Sequence, residues 1–401
     1  GQPLYGQVIK LLDKSKILAY SRNNGGERYT KRFNCWIHLE VMLYAVIMRF
    51  DSLREITASL LAETRKLSHL GITFKIGRST LADANKRRPE YIFEAIYRDL
   101  YATYRYALSS DSRSGKTPKW MKRLQIIDST TITLFSNLLF KGVGRHPKTG
   151  KKKGGIKVHT VIHANEGVPS DIKFTSAATN DSFMLKPSTL SKGDIMAMDR
   201  AYIDYEKFEQ LTQRGVIYVT KMKKNLKYAI LSDTMYQTPD GLMEVRIQNV
   251  EFTKPKKGGE TIRHKSRIIT YADVKKHKLI SLLTNDMDSD PKEIVAIYRQ
   301  RWEIELLFKQ MKQNFPLKYF YGESANAIKI QIWVTLIANL LLMVMQKGLS
   351  RKWSFSGLAT MVRITLMYYV DFHSLFNNPE KEWEIILSVA SGAPPEPSLF
   401  D

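Results

Sequence analysis

The amino-acid sequence predicts an α/β protein in which a mixed β-sheet lies between two helical regions. Three observations lead to this expectation. Apolar residues recur at helical spacing up to about residue 109, and from Pro291 onward. Between 119 and 285 they alternate or form short Ile- and Thr-rich runs, which are typical of strands. The polar residues 110–118, with Gly and Pro, predict a linker between the first two parts.

The N-terminal part predicts consecutive helices. Trp36–Phe50 has an aliphatic face, and Ser52 is expected to cap the helix that follows it. Ser79 is expected to cap a short helix that Pro89 ends, before a longer helix over Glu90–Leu108. The segment 52–88 therefore resembles a helix-turn-helix. Its candidate recognition helix carries four residue types that contact bases and phosphates: Asn85, Lys86, Arg87 and Arg88.

The middle part predicts a sheet of mixed direction. Its candidate elements are strands Leu124–Leu134, Ile156–Ile162, Val168–Phe174, Ile195–Met198 and Val216–Thr220, with a helix over Tyr205–Gln213. Residues 221–285 predict a β-rich insertion with a basic face. Helices follow over Pro291 to about Gln313, Ala325–Lys347, Ser356–Tyr369 and Glu380–Val389. The order of elements favours three antiparallel strands followed by strands that a helix separates.

Composition narrows the function. The chain has 401 residues, a formal net charge of +23 and a pI near 9.7, which favours a nucleic acid or an anionic membrane surface as partner. A merely basic protein is the alternative reading. The single cysteine, Cys35, excludes an intramolecular disulfide framework and a Cys-rich zinc finger. The longest apolar run, Ile332–Met345, is too short to span a bilayer comfortably, so a buried core helix is expected.

Two acids follow apolar strand segments. Asp128 comes after Leu124–Ile127, and Asp199 comes after Ile195–Met198. A carboxylate at the end of a buried strand is costly unless it is paired or holds a cation. One such Asp is an ordinary strand end or helix cap. Two alike indicate a metal site, with the caps as the alternative.

A third acid lies on the helix that begins at Pro291. Tyr298, Arg301, Glu305 and Lys312 are spaced i, i+3, i+7 and i+14, and about 100° per residue places them within an arc of roughly 60°. Lys309 lies close to the same stripe. An apolar face adjoins it, formed by Ile297, Ile304, Leu307, Phe308 and Met311. On its own, such a row is most often a surface ion-pair row.

The ordered set resembles a known family. Tyr298, Arg301, Glu305 and Lys312 match the Y-R-E-K signature of DDE transposases of bacterial insertion sequences, in the insertion sequence 4 family that includes the Tn5-type enzyme. Asp128, then Asp199 with Arg200 and Tyr202, precede them in the family's order. The resemblance covers roughly 120–345. It implies an RNase H-like catalytic core over 119–220 and 286–348, an insertion over 221–285, a DNA-binding domain over 1–109 and a helical region over 349–401.

The resemblance also implies a mechanism. Asp128, Asp199 and Glu305 would hold two Mg²⁺ or Mn²⁺ ions, and Tyr298, Arg301, Lys312 and Lys309 would bind phosphates near the cut. Arg200 and Tyr202 would also contact DNA. The expected partner is double-stranded DNA, as element ends and target, bound by a homodimer in the bacterial cytoplasm at the nucleoid. No membrane partner is expected.

Other segments were weighed on their residues. A basic loop is expected to contact the DNA backbone through Arg145, Lys151, Lys152 and Lys153, with Lys157 on the next strand. His159 and His163 lie on a predicted strand without the Glu of a zinc-protease helix, so zinc is not expected. Asn180 and Asp181 either cap a helix or lie near the active site. No phosphate-binding Gly-rich loop with Lys is present, so no nucleotide cofactor is expected.

One departure concerns the insertion. Tn5-type relatives free the element through a DNA hairpin whose flipped base stacks on a Trp of the insertion, and this chain has no Trp between Asp199 and Trp302. Tyr228, Tyr236 or Phe252 could stack instead, or the hairpin step could be absent. Two further functions stay open: a metal-dependent RNase H-like nuclease, and a transposase-derived DNA-binding regulator.

Overall fold

The computed structural model describes residues 2–109, 117–133, 155–177, 179–237, 244–255, 259–273 and 277–390. The chain forms two compact units, one of residues 1–107 with 310–401 and one of residues 108–309. This division differs from the expected one, since residues 310–348 group with the N-terminal helices and not with the sheet.

Most of the predicted helices begin and end close to the expected residues, and Ser52 caps α4 as expected. The expected cap at Ser79 is wrong, because α6 begins at Arg78 after Gly77 and Ser79 lies inside its first turn. In the described part of the chain they are α1 (Leu4–Ile9), α2 (Lys14–Asn23), α3 (Cys35–Met48), α4 (Leu53–Ala62), α5 (Thr64–Ser68), α6 (Arg78–Arg87), α7 (Glu90–Leu108), α8 (Tyr205–Gln213), α9 (Pro291–Gln300), α10 (Trp302–Asn314), α11 (Ala325–Lys347), α12 (Phe355–Thr365), α13 (Phe372–Asn377) and α14 (Lys381–Ala390). The strands are β1 (Leu124–Thr133), β2 (Gly155–His163), β3 (Pro169–Ser176), β4 (Ile195–Met198), β5 (Ile217–Lys221), β6 (Ala229–Gln237), β7 (Glu244–Pro255), β8 (Thr261–Asp273) and β9 (Lys278–Thr284).

The helical unit is built around α3 and α11, which pack against each other. Both helices are apolar on nearly all sides, and a helix of that kind must be buried on all sides. Within the described residues, α11 alone is long and apolar enough to cross a membrane, but 83% of its apolar window is buried inside the protein. The expected core helix over Ile332–Met345 is therefore confirmed. Its burial among N-terminal helices explains why 310–348 leaves the sheet unit.

The sheet unit contains one nine-stranded mixed sheet in the order β3-β2-β1-β4-β5-β9-β8-β7-β6. β1, β2 and β3 are antiparallel, whereas β4 and β5 run parallel to β1, which is the arrangement of an RNase H-like core. Residues 165–167 turn between β2 and β3, with Gly167 at a φ of 69°. The expected α/β mixed sheet with helical ends is confirmed. The β-rich insertion is present, and its strand β9 pairs directly with β5 of the core.

The helix expected from Pro291 to about Gln313 is interrupted at Arg301, which separates α9 from α10. The amide of Arg301 donates a 3.1 Å hydrogen bond to the carbonyl of Tyr298, three residues back, so the chain tightens there for one turn. Arg301 keeps right-handed helical angles. The predicted apolar face of both helices is buried.

Candidate active site

Two of the predicted acids are neighbours across the sheet. The parallel pairing of β1 with β4 ends at Ile127 opposite Met198, and Asp128 and Asp199 are the next residues on the two strands. Adjacent strands lie about 4.8 Å apart, and residues at the same register point to the same face. The two carboxylates are therefore carried side by side.

The two acids differ in their local setting. Asp199 directly follows β4, as predicted, and accepts a 3.0 Å hydrogen bond from the amide of Ala201. Asp128 lies inside β1 and not at its end, because β1 continues in antiparallel pairing with β2 as far as Thr133 opposite Gly155. The prediction of a strand end was wrong for Asp128, although the parallel pairing does end at that point.

Arg301 links the third acid to the first. Its Nη2 atom lies 2.6 Å from Oε1 of Glu305, and its Nη1 atom lies 3.4 Å from Oδ2 of Asp128. The guanidinium carbon lies 5.7 Å from the ring centre of Tyr298. The predicted group of Tyr298, Arg301 and Glu305 is thus brought together on one side of α9 and α10, beside the acid on β1.

The charges at this position are strongly coupled. The pKa of Asp128 is raised to about 6, chiefly by burial and to a smaller degree by the charges of Asp199 and Glu305, which together outweigh the lowering effect of the Ser129 amide and Arg301. Three acids accompanied by one guanidinium leave an excess of negative charge in a partly buried place. A low dielectric makes such an excess costly until cations approach.

This donor set fits a divalent metal ion by its chemistry. Oxygen ligands on carboxylates suit Mg²⁺ or Mn²⁺. With the side chains as they stand, no three His, Cys, Asp or Glu residues of the described chain are gathered closely enough to hold an ion. The positive charge between Asp128 and Glu305 is that of Arg301.

A fourth acid, Asp181, lies next to this site. Its carboxylate accepts a 2.7 Å hydrogen bond from Ser129, the residue after Asp128, and lies 3.3 Å from Nζ of Lys157 and 3.5 Å from Nδ1 of His159. Burial lowers the pKa of His159 to about 4, so its ring is neutral near pH 7. Asn180 caps a short 3₁₀ helix, which is the first of the two roles expected for Asn180 and Asp181. Asp181 lies near the active site, which is the second expected role.

Several residues expected to contact DNA are placed differently. Tyr202 is fully buried, and burial, with the charges of Asp128 and Asp181, raises its pKa. Lys157 donates to the carbonyl of Thr179 and pairs with Asp181, so it links β2 to the segment that follows β3. Neither side chain is therefore available to a phosphate as it stands, because Tyr202 is buried and the ammonium group of Lys157 is already paired.

Three other cations that are expected to contact DNA are exposed. Arg200 is exposed after β4, and Lys309 and Lys312 are exposed on α10. They stay predictions as DNA contacts. The basic loop with Arg145, Lys151, Lys152 and Lys153 lies outside the described residues.

The four residues expected to contact DNA from the predicted recognition helix are likewise partly buried and partly exposed. Asn85 and Arg88 are buried, and Asn85 bonds the ring of His38 at 2.7 Å. Both side chains therefore stabilise the interior of the helical unit. The expectation that they contact DNA is not supported, because they do not reach the surface. Lys86 and Arg87 are exposed and stay candidates. The helix-turn-helix itself is loose, because α5 and residues 69–77 separate α4 from α6, where such motifs have a turn of 3–4 residues.

In the insertion, Phe252 is fully buried and stacks on Tyr205 with ring centres 4.7 Å apart. It is not available to stack on a DNA base, so that candidate is corrected. Tyr228 is 37% exposed and stays a candidate. Lys223 and Lys254 line a cleft with Ala201, two residues beyond Asp199. The expected basic face of the insertion thus adjoins the loop that carries the second acid.

The sheet order and the paired acids define a class, an enzyme with an RNase H-like core that acts on nucleic acid. Comparison with protein families is more specific. The model of the transposase DDE domain matches residues 119–341, more than half of the chain. The chain therefore belongs to the DDE transposase family of insertion sequences, whose domains use divalent metal ions to act on DNA. A second model, the domain of unknown function DUF4372, matches residues 1–73.

Individual relatives agree with this family. A Sinorhizobium fredii protein named as a candidate transposase, y4zB, is 28% identical over 67% of this chain and 71% of its own length. A Synechocystis protein named as a candidate transposase of insertion sequence element IS4SA is 26% identical over 69% of this chain and 74% of its own. One from Geobacillus stearothermophilus, named likewise for element IS5377, is 23% identical over 68% of this chain and 69% of its own.

Proposed function

We propose that this chain is a cut-and-paste transposase of the insertion sequence 4 type, which binds the ends of a mobile DNA element, cleaves them and joins them to a target. The observation that supports this proposal most is that Asp128 and Asp199 each follow the last mutually paired residues of β1 and β4, together with the guanidinium of Arg301 between Asp128 and Glu305. The Y-R-E-K signature is supported by the proximity of Tyr298, Arg301 and Glu305.

Asp128, Asp199 and Glu305 would hold two Mg²⁺ or Mn²⁺ ions. Such ions, when bound, activate a water or 3′-hydroxyl nucleophile and stabilise the leaving oxygen. The chain's own residues then do the positioning. Arg301 would move its charge from the acids to a phosphate oxygen, and a guanidinium suits that role because it presents several donors in a fixed plane. Tyr298 would limit where the guanidinium can lie, since the two groups are packed together.

Exposed cations would hold the DNA backbone on either side of the cut. Lys309 and Lys312 on α10 and Arg200 beyond Asp199 are exposed, and they would make sequence-independent phosphate contacts, which position DNA without reading it. Because transposition joins two ends, we expect a homodimer on DNA, located at the nucleoid of the bacterial cytoplasm. We expect no nucleotide cofactor, since the sequence has no phosphate-binding loop motif.

The test uses purified protein, a duplex that carries the element's ends, and Mg²⁺ or EDTA. We expect Asp128→Ala, Asp199→Ala and Glu305→Ala each to lower cleavage by more than about a hundredfold, since even residues behind a metal's ligands are worth 10–100-fold. Glu303→Ala, an exposed acid on the same helix, is the matched control and should cleave normally. Cleavage at the wild-type rate by one of the three variants, or in EDTA, would overturn the assignment.

A nuclease of the same fold is the second candidate, because the acids alone are compatible with hydrolysis. Strand joining distinguishes the two. A labelled element end with a free 3′-hydroxyl should become linked to a target plasmid if the chain is a transposase. Cleavage without joining would favour the nuclease, and DNA binding without cleavage would favour a regulator.

A further inference from the structure

A basic cleft lies in the helical unit, away from the acids described above. Its volume is about 920 Å³. One wall is the loop 25–33, between α2 and α3, and the other contains Lys75 and α6 with Arg87. The loop contributes three cations, Arg28, Lys31 and Arg32. The segment that carries this loop falls within the matched domain of unknown function, so no role is assigned to it.

The loop is held by a buried arginine. Arg88 donates 3.0 Å hydrogen bonds to the carbonyl of Gly26 from Nε and to the carbonyl of Phe33 from Nη2, at the two ends of the loop. Gly26 is packed closely, since an added Cβ would collide with Ser21 and Ile92. The two ends of the loop are therefore fixed by hydrogen bonds and close packing, which gives the loop a defined conformation.

The acid and the cations of the loop lie on opposite sides, the acid toward the interior and the cations toward solvent. Its single acid, Glu27, turns inward, where it accepts hydrogen bonds from Ser21 at 2.6 Å and from the amide of Cys35 at 2.8 Å. Arg28, Lys31 and Arg32 are exposed. Among the residues that the structure describes, no ion pair involves these three cations or Lys75. The cleft thus gathers positive charge that has no acidic partner there.

The one acid among the described cleft residues is already neutralised. Asp83 pairs with Arg87 one turn along α6. An exposed aromatic ring completes the cleft. Tyr29 is 81% exposed, has a φ of 60°, and packs under the guanidinium of Arg28 at 5.1 Å. A bulky residue in the left-handed region is unusual and tends to mark functional positions. A ring and a guanidinium on one exposed loop suit contact with sugars and phosphates.

We propose that this cleft binds the phosphate backbone of double-stranded DNA, with Arg28, Lys31 and Arg32 as the contacting cations. The inference rests on the proposed function, because it names the surface by which the helical unit holds the same DNA. Cations on both walls, spread along an exposed loop, suit a polyanion with regularly spaced charges better than a small anion, which needs donors converging on one point. The contact is independent of base sequence.

The test measures binding of a fluorescein-labelled 30-base-pair duplex of arbitrary sequence, in EDTA, over a series of salt concentrations. The variant is the triple substitution R28A/K31A/R32A. K10A/K347A/K352A is the matched control, because it removes the same charge from exposed positions of the same unit that do not line the cleft. Melting temperatures of both variants report whether the fold survives. Should the triple variant not fold, Lys31→Gln alone takes its place.

We expect the cleft variant to bind about 10–100-fold more weakly at low salt, and the slope of log K against log salt to become shallower by ~2 to 3, since each phosphate contact contributes ~0.9. The control should change little. The same loss on a duplex with the element's ends would show a backbone contact.

If wild-type protein binds and cleaves DNA but the cleft and control variants have equal affinity and slope, the cleft inference fails alone. If wild-type protein neither binds nor cleaves DNA, the proposed function fails. Loss of binding to phosphatidylserine vesicles but not to DNA would overturn the inference in favour of a membrane.

Discussion

The guanidinium of Arg301 lies 2.6 Å from the carboxylate of Glu305, one helical turn further along the chain. The same guanidinium reaches Asp128 on β1 at 3.4 Å, so a single positive group joins two acids that are far apart in sequence. Burial alone would lower the pKa of Arg301, but its contacts with Tyr298 and Glu305 raise it. Arg301 therefore stays charged, and any cation that enters between the acids must displace it.

We expect Arg301→Ala to lower cleavage by roughly a hundredfold, because removing one preorganised donor at a reacting centre typically costs 10²–10³. Arg301→Lys should recover only part of the rate, since an ammonium group cannot bridge two carboxylates in one plane. Single-turnover cleavage measures the rate, and binding in EDTA measures DNA affinity separately. Arg299→Ala, an exposed arginine two residues earlier, is the control. Equal rates for the two alanine variants would contradict the role given to Arg301.

A second prediction concerns Asp181, which accepts the hydrogen bond of Ser129 beside Asp128. Asp181→Asn keeps the shape but removes the charge that faces Lys157 and His159. We expect cleavage to fall by about 10–100-fold, as for residues that orient metal ligands, with DNA affinity in EDTA unchanged. Asp288→Asn, an exposed acid of the same unit, should leave the rate unchanged. A drop in melting temperature with a normal cleavage rate would assign Asp181 to stability only.

The adjacent pair Arg87 and Arg88 should respond in opposite ways. Arg88→Ala leaves the carbonyls of Gly26 and Phe33 without their donor in the interior, and should destabilise the protein by on the order of 3 kcal/mol. Arg87→Ala removes an exposed side chain that pairs with Asp83 on the surface of the same helix, and should change stability little. Urea unfolding measures both. A stable Arg88→Ala protein would show that the loop does not depend on this arginine.

The pH dependence of stability tests Glu40. Burial raises the pKa of this acid from its ordinary value of 4.5 to about 8, while Lys14 and a hydrogen bond with Trp36 lower it. Between these values the unfolded chain has released the proton and the folded chain still holds it, so this group's stability contribution falls as pH rises. We expect Glu40→Gln to lose several degrees less than wild type in melting temperature between about pH 5 and about pH 8.5. Glu323→Gln, at an exposed position, should follow wild type.

Much of the sheet was predictable because period-two patterns and strand-ending acids are local signals. The strand over Ile195–Met198 and the helix over Tyr205–Gln213 were predicted with the bounds that the structure has. Strand β1 also lies close to the strand predicted over Leu124–Leu134, and Asp128 lies inside it. The apolar run Leu124–Ile127 marks only the part of β1 that pairs in parallel with β4, so it did not show where the strand ends. Strand β6 was missed because every residue but Tyr236 is exposed, which leaves no alternation to detect.

The site residues also include some that the sequence could predict and some that it could not. The stripe of Tyr298, Arg301 and Glu305 follows from helical spacing, so it could be predicted from sequence. The burial of Asn85, Arg88 and Tyr202 could not, because polar side chains look alike in sequence whether they face solvent or an interior partner. Asp181 carried only the weak signal of an Asn-Asp pair before an apolar strand. Its contact with Ser129 depends on how β1 and β2 align.

The pairing of β9 with β5 makes the insertion a continuation of the catalytic sheet. An appendage on two flexible tethers could be deleted with little harm, but here deletion of 229–284 would strip β5 of its neighbour and bare a row of unsatisfied amides and carbonyls. Such an edge invites intermolecular pairing. Shortened versions of this chain should therefore aggregate and not merely lose activity, and engineering that aims at a minimal catalytic core must retain β9.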